Sequence, residues 1–193
     1  GVAAAAAARL AGGTSAGRPG LDEVEAGLLQ LGVATAGLEI AEQQVAGVFH
    51  VRGLDDGGRP LLVKVYGRDA HDNQLVSAIW RSVWYRGGGM PLRLGRLQAA
   101  EHEAFVTLLA ERAGLATREV VTAAATIDDD ALLVLRGEAL PAADLPVEQI
   151  DDAFLGGAWR ALALLDGAKI AHQQIDPTTV AAVDGVVGFV DFG

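Results

Sequence analysis

Four kinds of side chain, scattered over most of the chain, are of the types that handle phosphate. They are Lys64, a carboxylate at Glu101 or Glu103, His172, and Asp191 in the closing Asp191-Phe192-Gly193. Phosphoryl chemistry needs positive charge and a metal to hold the phosphates, plus a group that orients the nucleophile. A carboxylate beside a lysine keeps the ammonium charged and aims it at phosphate oxygens. Asp191 follows His172 by 19 residues, with Asp184-Gly185 between them. That order carries more information than any one residue.

The elements that must position these groups can be read from periodicity. Val24, Leu28 and Leu31 have helical spacing over Leu21 to Leu31, with Asp22, Glu23 and Glu25 near the positive end of the helix dipole. Three strand-like runs follow: Leu38 to Gln43, Val48 to Gly53, and Leu61 to Tyr66. Asp55-Asp56-Gly57-Gly58 marks a tight turn between the last two. Lys64 alternates with apolar neighbours on the third strand. A lysine placed this way points into a cleft, or else blocks pairing at a sheet edge.

Asp72 to Tyr85 reads as a helix, broken by Gly87-Gly88-Gly89 and Pro91, and Leu97 to Ala113 as another. On the latter, Glu101 shares a face with Phe105, Leu108 and Leu109, whereas Glu103 shares one with Thr107. An inward carboxylate needs a partner because desolvation is costly, so this spacing favours Glu101 for Lys64. Both acids could instead be surface charges. Strands are expected at Val120 to Ala125 and Ala131 to Leu135, and a connector at Pro141 to Pro146. An amphipathic helix should run from Ile150 to Asp166-Gly167. The chain closes on a strand-turn-strand unit, Thr179 to Val183 and Val186 to Val190.

Composition narrows the class. The 193 residues are 51% apolar, enough for one sizeable core or two small lobes, and this excludes a disordered chain. A net charge of -10 argues against a general nucleic-acid binder. There is no cysteine, hence no disulfide or thiolate metal site. No run approaches the roughly 18 to 20 apolar residues that span a bilayer. Arg81, Arg86, Arg93 and Arg96, interleaved with Trp80, Trp84 and Tyr85 and free of acids, are the best candidate contact for an anionic lipid or acidic partner.

The segment from Ile170 to Val180, with His172, Ile175 and Val180 in register, resembles the catalytic loop of protein kinases. With Lys64, the helix glutamate and Asp191-Phe192-Gly193, it makes Leu38 to Gly193 similar to the protein-kinase-like superfamily, including aminoglycoside-phosphotransferase-like and ABC1-type members. Val63 to Asp69, Trp80-Arg81 and Glu101 to Ala104 look like kinase-like modules of actinobacterial membrane proteins with a flippase-like region, as in lysylphosphatidylglycerol synthases. The resemblance implies an α+β, two-lobed fold: a lead-in at 1–20, an N-lobe with its preceding helix at 21–135, and a hinge with an incomplete helical C-lobe at 136–193. It also implies that the chain is part of a longer protein, cytoplasmic and tethered to the inner face of the plasma membrane through a membrane-embedded parent.

For the site, the resemblance implies ATP as ligand, Lys64 on its phosphates, and Mg2+ on Asp191. The backbone of the hinge around Gly137 and Glu138 would read an adenine edge. Two positions depart from the pattern. Gln174 stands where the catalytic aspartate belongs, and Thr179 where a metal-binding asparagine belongs. An amide cannot act as a general base near neutral pH. The turn joining the first two strand-like runs, Gln43 to Val48, has the single glycine Gly47, which limits close backbone approach to phosphate. The expectation is a nucleotide-binding module with impaired catalysis. The alternatives are an active phosphotransferase using Asp176 as base, and an interaction domain using the Arg/Trp surface.

Overall fold

The computed structural model describes residues 19–45, 47–66, 95–127 and 130–193. The expected helix at Asp72 to Tyr85, which carries Arg81, and the later Arg86 and Arg93 lie outside them. The first helix, α1 (Leu21–Gln30), begins where the Gly20 amide donates to Glu23 Oε2 at 3.0 Å, which satisfies one amide that lacks an intrahelical partner. Strands β1 (Thr35–Ile40), β2 (Phe49–Asp55) and β3 (Pro60–Tyr66) follow, then helix α2 (Arg96–Arg112) and strands β4 (Glu119–Ala125) and β5 (Ala131–Arg136). They form an antiparallel sheet in the order β1-β2-β3-β5-β4.

Central β3 is buried on both faces, and its side chains alternate between two cores. Leu61, Val63 and Val65 join Phe49, Val51, Leu132 and Val134 under Val24 and Leu28 of α1. Leu62 and Tyr66 join Leu133 and Leu135 against Ala100 and Ala104 of α2. Lys64 therefore projects from the middle of the sheet onto the α2 face, opposite His50 of β2 and Leu133 of β5. The β2–β3 turn is held by Asp55, whose carboxylate accepts from the amides of Gly57 (2.9 Å) and Arg59 (2.8 Å).

Helix α2 turns a different face inward from the one its apolar spacing suggests. Ala100, Glu103, Ala104, Thr107 and Ala110 are buried, whereas Phe105, Leu108 and Leu109 are 59%, 46% and 39% exposed. Three alanines let the helix approach the sheet closely. The larger apolar groups are spread round the remaining circumference, so their spacing does not single out the packed face.

Past the five-stranded sheet, β6 (Ala139–Pro141) pairs with β7 (Val180–Val183), and β7 with β8 (Val186–Phe189). The expected connector thus contains the end of a strand and a short 3-10 turn at Ala142–Asp144. Helix α3 (Asp152–Gly167) starts at Asp151, whose carboxylate accepts the Phe154 amide at 2.8 Å, a cap of about 1 kcal/mol. Its buried residues Phe154, Gly157, Ala161 and Leu165 face β8. A Cβ on Gly157 would lie 2.8 Å from that of Val187, so glycine permits the close approach. Ala110, Leu115, Ala161, Leu165, Phe189 and Phe192 form the core joining α2 to α3 and the C-terminal hairpin. No helix among the described residues is long and apolar enough to cross a membrane.

Candidate functional site

The centre of the site is the Lys64 ammonium. It donates to Glu103 Oε1 and, at 2.6 Å, to Asp191 Oδ1. Glu103 Oε2 accepts the Tyr66 hydroxyl at 2.5 Å. Lys64 and Glu103 are 4% and 2% exposed, while the Asp191 side chain keeps 36% of its surface in solvent. β3, α2 and the C-terminal segment each supply one charge, and 127 residues separate Lys64 from Asp191.

Glu103, and not Glu101, is the carboxylate that meets Lys64; Glu101 is exposed. The reason lies in the inward face of α2. Glu103 is one of its buried residues, one turn after Ala100 and one before Thr107, whose hydroxyl donates to the Glu103 carbonyl at 2.8 Å. Tyr66 sits two residues after Lys64 on the same strand face, and this alternation is the one signal that could have pointed to it.

The electrostatics follow the geometry. Burial alone would lower the pKa of Lys64, but Glu103 and Asp191 outweigh it and raise the pKa of the ammonium. Burial would raise Asp191, yet Lys64, then Arg118 and His50, hold its carboxyl below the usual range. Tyr66 is pushed up, chiefly by burial and then by Glu103, so it stays a donor. His50 is lowered to about 4 by burial and by Lys64 opposite, leaving it neutral at pH 7.

Asp191 has a backbone φ of 62°, in the left-handed region that non-glycine residues seldom occupy. Such strain persists only where the surroundings fix it, and here Lys64 does so from the front. From behind, His172 Nε2–H donates to the Val190 carbonyl at 3.0 Å, and the imidazole lies 4.8 Å from the Phe192 ring and 5.5 Å from Phe189. His172 Nδ1 accepts from the Gln174 amide at 3.3 Å. Both ring nitrogens are engaged, so His172 braces the approach to Asp191 and has no nitrogen free for proton transfer. Gly193 passes so close to Glu103 that a Cβ there would fall 2.6 Å from Oε2.

The remaining loop residues hold the loop itself. Gln174 Nε2 donates to Asp176 Oδ2 at 2.5 Å, and Asp176 Oδ1 accepts from the Thr178 amide (2.8 Å) and hydroxyl (2.5 Å). These bonds, the Thr178 hydroxyl first and Gln174 next, lower the Asp176 carboxyl to about 2, the wrong direction for a general base at neutral pH. Thr179 is buried, and its hydroxyl donates to the Gln174 carbonyl at 3.0 Å while accepting the Asp176 amide at 3.1 Å. That oxygen closes the loop.

The hinge differs from the expectation too. The Gly137 amide donates to the Pro60 carbonyl at 3.0 Å. The Glu138 amide donates to Asp184 Oδ1 at 3.1 Å, and the Glu138 carbonyl accepts from the Asp184 amide at 3.0 Å. Neither amide is left to read a base. Gly47, at φ 88°, sits in a turn clamped by the Gln44 side chain, which bonds the Ala41 carbonyl and both backbone groups of His50. Next to it, Gln43 Nε2 reaches Asp144 Oδ2 at 2.6 Å, joining the β1–β2 turn to the segment after β6. Among the described residues no three His, Cys, Asp or Glu gather as a metal site. With the Thr179 hydroxyl engaged in the loop, Asp191 is the half-exposed carboxylate of this set that would hold a Mg2+ together with phosphate oxygens.

One further group had no sequence signal. Arg118, just before β4, is 9% exposed, and its Nε has no hydrogen-bond partner.

No protein-family model and no curated protein matches the chain. Among solved structures it is similar to the MAP kinase LmaMPK10 from Leishmania major, with 12% identity and a TM-score of 0.53. That match covers 89% of this chain and 50% of the kinase, so the chain spans half the length of its structural neighbour. At such low identity the likeness speaks for architecture alone. The chain has a protein-kinase-like fold.

Proposed function

We propose that this chain is a kinase-fold module that binds the phosphates of a nucleotide in the Lys64–Asp191 cleft and is catalytically impaired, as a pseudokinase is. The observation that carries this reading is the buried ammonium held between Glu103 and Asp191. A purely structural role would be served as well by apolar side chains of similar volume, without the desolvation cost. Lys64 supplies the positive charge, Glu103 and Tyr66 position it, and Asp191 is the half-open edge facing solvent. Among the described residues of the loop no group stands ready to deprotonate an acceptor hydroxyl: Gln174 is an amide, and Asp176 is committed to its own turn. These two facts disfavour an active phosphotransferase.

Thermal unfolding with ATP, with and without magnesium, tests the reading. Ligand at a hundred times its Kd stabilises by about 2.7 kcal/mol, which for a chain of this length is roughly 5–10 °C. No rise at millimolar ATP overturns nucleotide binding. Gln174→Asp should not hydrolyse ATP more slowly than the parent, and a parent with ordinary kinase turnover overturns the impairment. Attachment to a membrane protein belongs to the same reading. It rests on the family resemblance and on Arg81, Arg86, Arg93 and Arg96 among aromatic residues. Co-sedimentation with phosphatidylglycerol vesicles, and none with phosphatidylcholine vesicles, is the expected outcome for that surface.

A further inference from the structure

Among the described residues, two cationic side chains on the Lys64 face of the sheet, Lys64 and Arg118, are almost fully buried, and of the two Lys64 alone is ion-paired. Arg118 presents five N–H donors in a fixed fork. Its one hydrogen bond among the described residues runs from Nη2 to the Ala139 carbonyl at 3.4 Å, which is long. No carboxylate among the described residues forms an ion pair with it, and Nε is orphaned. Arg118 continues the alternation of Val120, which packs with Leu133 and Leu135 on the Lys64 face of the sheet. Burial lowers its hold on its proton, with Asp191 the largest influence opposing this, so the guanidinium lies within the field of the site. A buried cation left unpaired is costly, and an anion entering the cleft would relieve that cost.

The base-reading edge shows the opposite situation. At the hinge, Pro60 and Asp184 take the Gly137 and Glu138 amides, and the Asp184 amide takes the Glu138 carbonyl. Asp184 is seated firmly: it turns at φ 46° between β7 and β8, and its Oδ2 lies 3.1 Å from where a Gly137 Cβ would be. Ala139 is paired with Val183 in the β6–β7 ladder, and its carbonyl accepts from Arg118. The orphaned donor thus belongs to a cation, whereas both hinge amides that could read a base are already taken.

Resting on the nucleotide reading above, we infer that the cleft holds its ligand by the phosphate chain, through Lys64 and Arg118, and discriminates little between nucleobases. The ligand class is a nucleoside triphosphate of any base, or inorganic triphosphate, which shares that chain. A bidentate Arg–phosphate contact suits a guanidinium with free Nε and Nη donors, and a lysine does not reproduce it.

Calorimetric titration of the chain with ATP, GTP, CTP and inorganic triphosphate tests this. Dissociation constants for the three nucleotides should agree within about threefold, because base contacts are absent, and inorganic triphosphate should bind as well. Arg118→Gln should weaken all four by about tenfold or more, without loss of fold, since it removes an unpaired buried charge. Arg118→Lys guards against a folding defect: it keeps the charge, loses the fork, and should weaken all four to a lesser degree. ATP binding more than about tenfold tighter than GTP and CTP overturns the inference and leaves the nucleotide reading intact. So does binding unchanged in both Arg118 variants. Failure of all four ligands to bind removes both readings.

Discussion

Replacing Lys64 with methionine keeps the stem that packs on β3 and deletes the charge between Glu103 and Asp191. The two carboxylates then fare differently. Asp191 has 36% of its side chain in solvent and can be hydrated. Glu103, at 2% exposure, keeps only the Tyr66 hydroxyl. Removing one partner of a buried pair costs about 3–5 kcal/mol. Hydration of Asp191 puts this case near the lower end, so Lys64→Met should cost about 3 kcal/mol, or roughly 6–12 °C in melting temperature. Glu103→Gln alone leaves Lys64 with Asp191 and an amide oxygen for Tyr66, and should cost about 1 kcal/mol. In the double variant no charge is stranded at Glu103. Its loss should fall short of the sum of the singles by about 2 kcal/mol. Urea unfolding at pH 7, followed by far-ultraviolet circular dichroism, measures all four corners of the cycle. Additivity within about 0.5 kcal/mol would refute the coupling and with it the pairing of these residues.

Three other outcomes are expected. The His50 pKa of about 4 in the folded chain lies below the unfolded value of 6.5, so the unfolded chain binds more protons between those values. Stability should therefore rise from pH 4 to pH 6.5 by about 3 kcal/mol, reaching full value above 6.5, and His50→Gln should flatten that slope. Gly188→Ala places a Cβ 1.8 Å from the Ala116 carbonyl, the acceptor of the Phe189 amide, and should cost about 3 kcal/mol or more in urea unfolding. Phe192→Ala empties a buried site between α2, α3 and His172, and should cost about 3–5 kcal/mol while raising protease cleavage near Asp191.

The sheet was legible because its signals are local. Asp55-Asp56-Gly57-Gly58 encodes the β2–β3 turn, and alternation along β3 places Lys64 on one face with Tyr66. Helix α3 was legible for the same reason, its apolar stripe being in phase with its packed face. Helix α2 was not, because the residues touching the sheet are alanines, a threonine and a glutamate. What makes burial of Glu103 tolerable is Lys64, 39 residues earlier, and helical periodicity carries no record of such a partner. The order Lys64, helix glutamate, His172, Asp191 could be read, whereas the direction of each side chain in the loop could not. Asp176 and Thr179 look like ligands by type, yet both are consumed by bonds within a few residues of themselves. The parts played by Asp184 at the hinge and by Arg118 in the interior gave no sequence signal. Asp184 reads as half of a turn and Arg118 as a solvated charge, until the fold buries one cation and sets the other residue against the hinge.

The most direct measurement is of hydrogen-bond scalar couplings from the Lys64 15Nζ to side-chain carboxylate carbons by NMR at low temperature. Correlations from that one nitrogen to both Glu103 Cδ and Asp191 Cγ are the predicted result. A correlation to Glu101, or a rapidly exchanging ammonium coupled to neither acid, would contradict the convergence on which the proposed cleft depends.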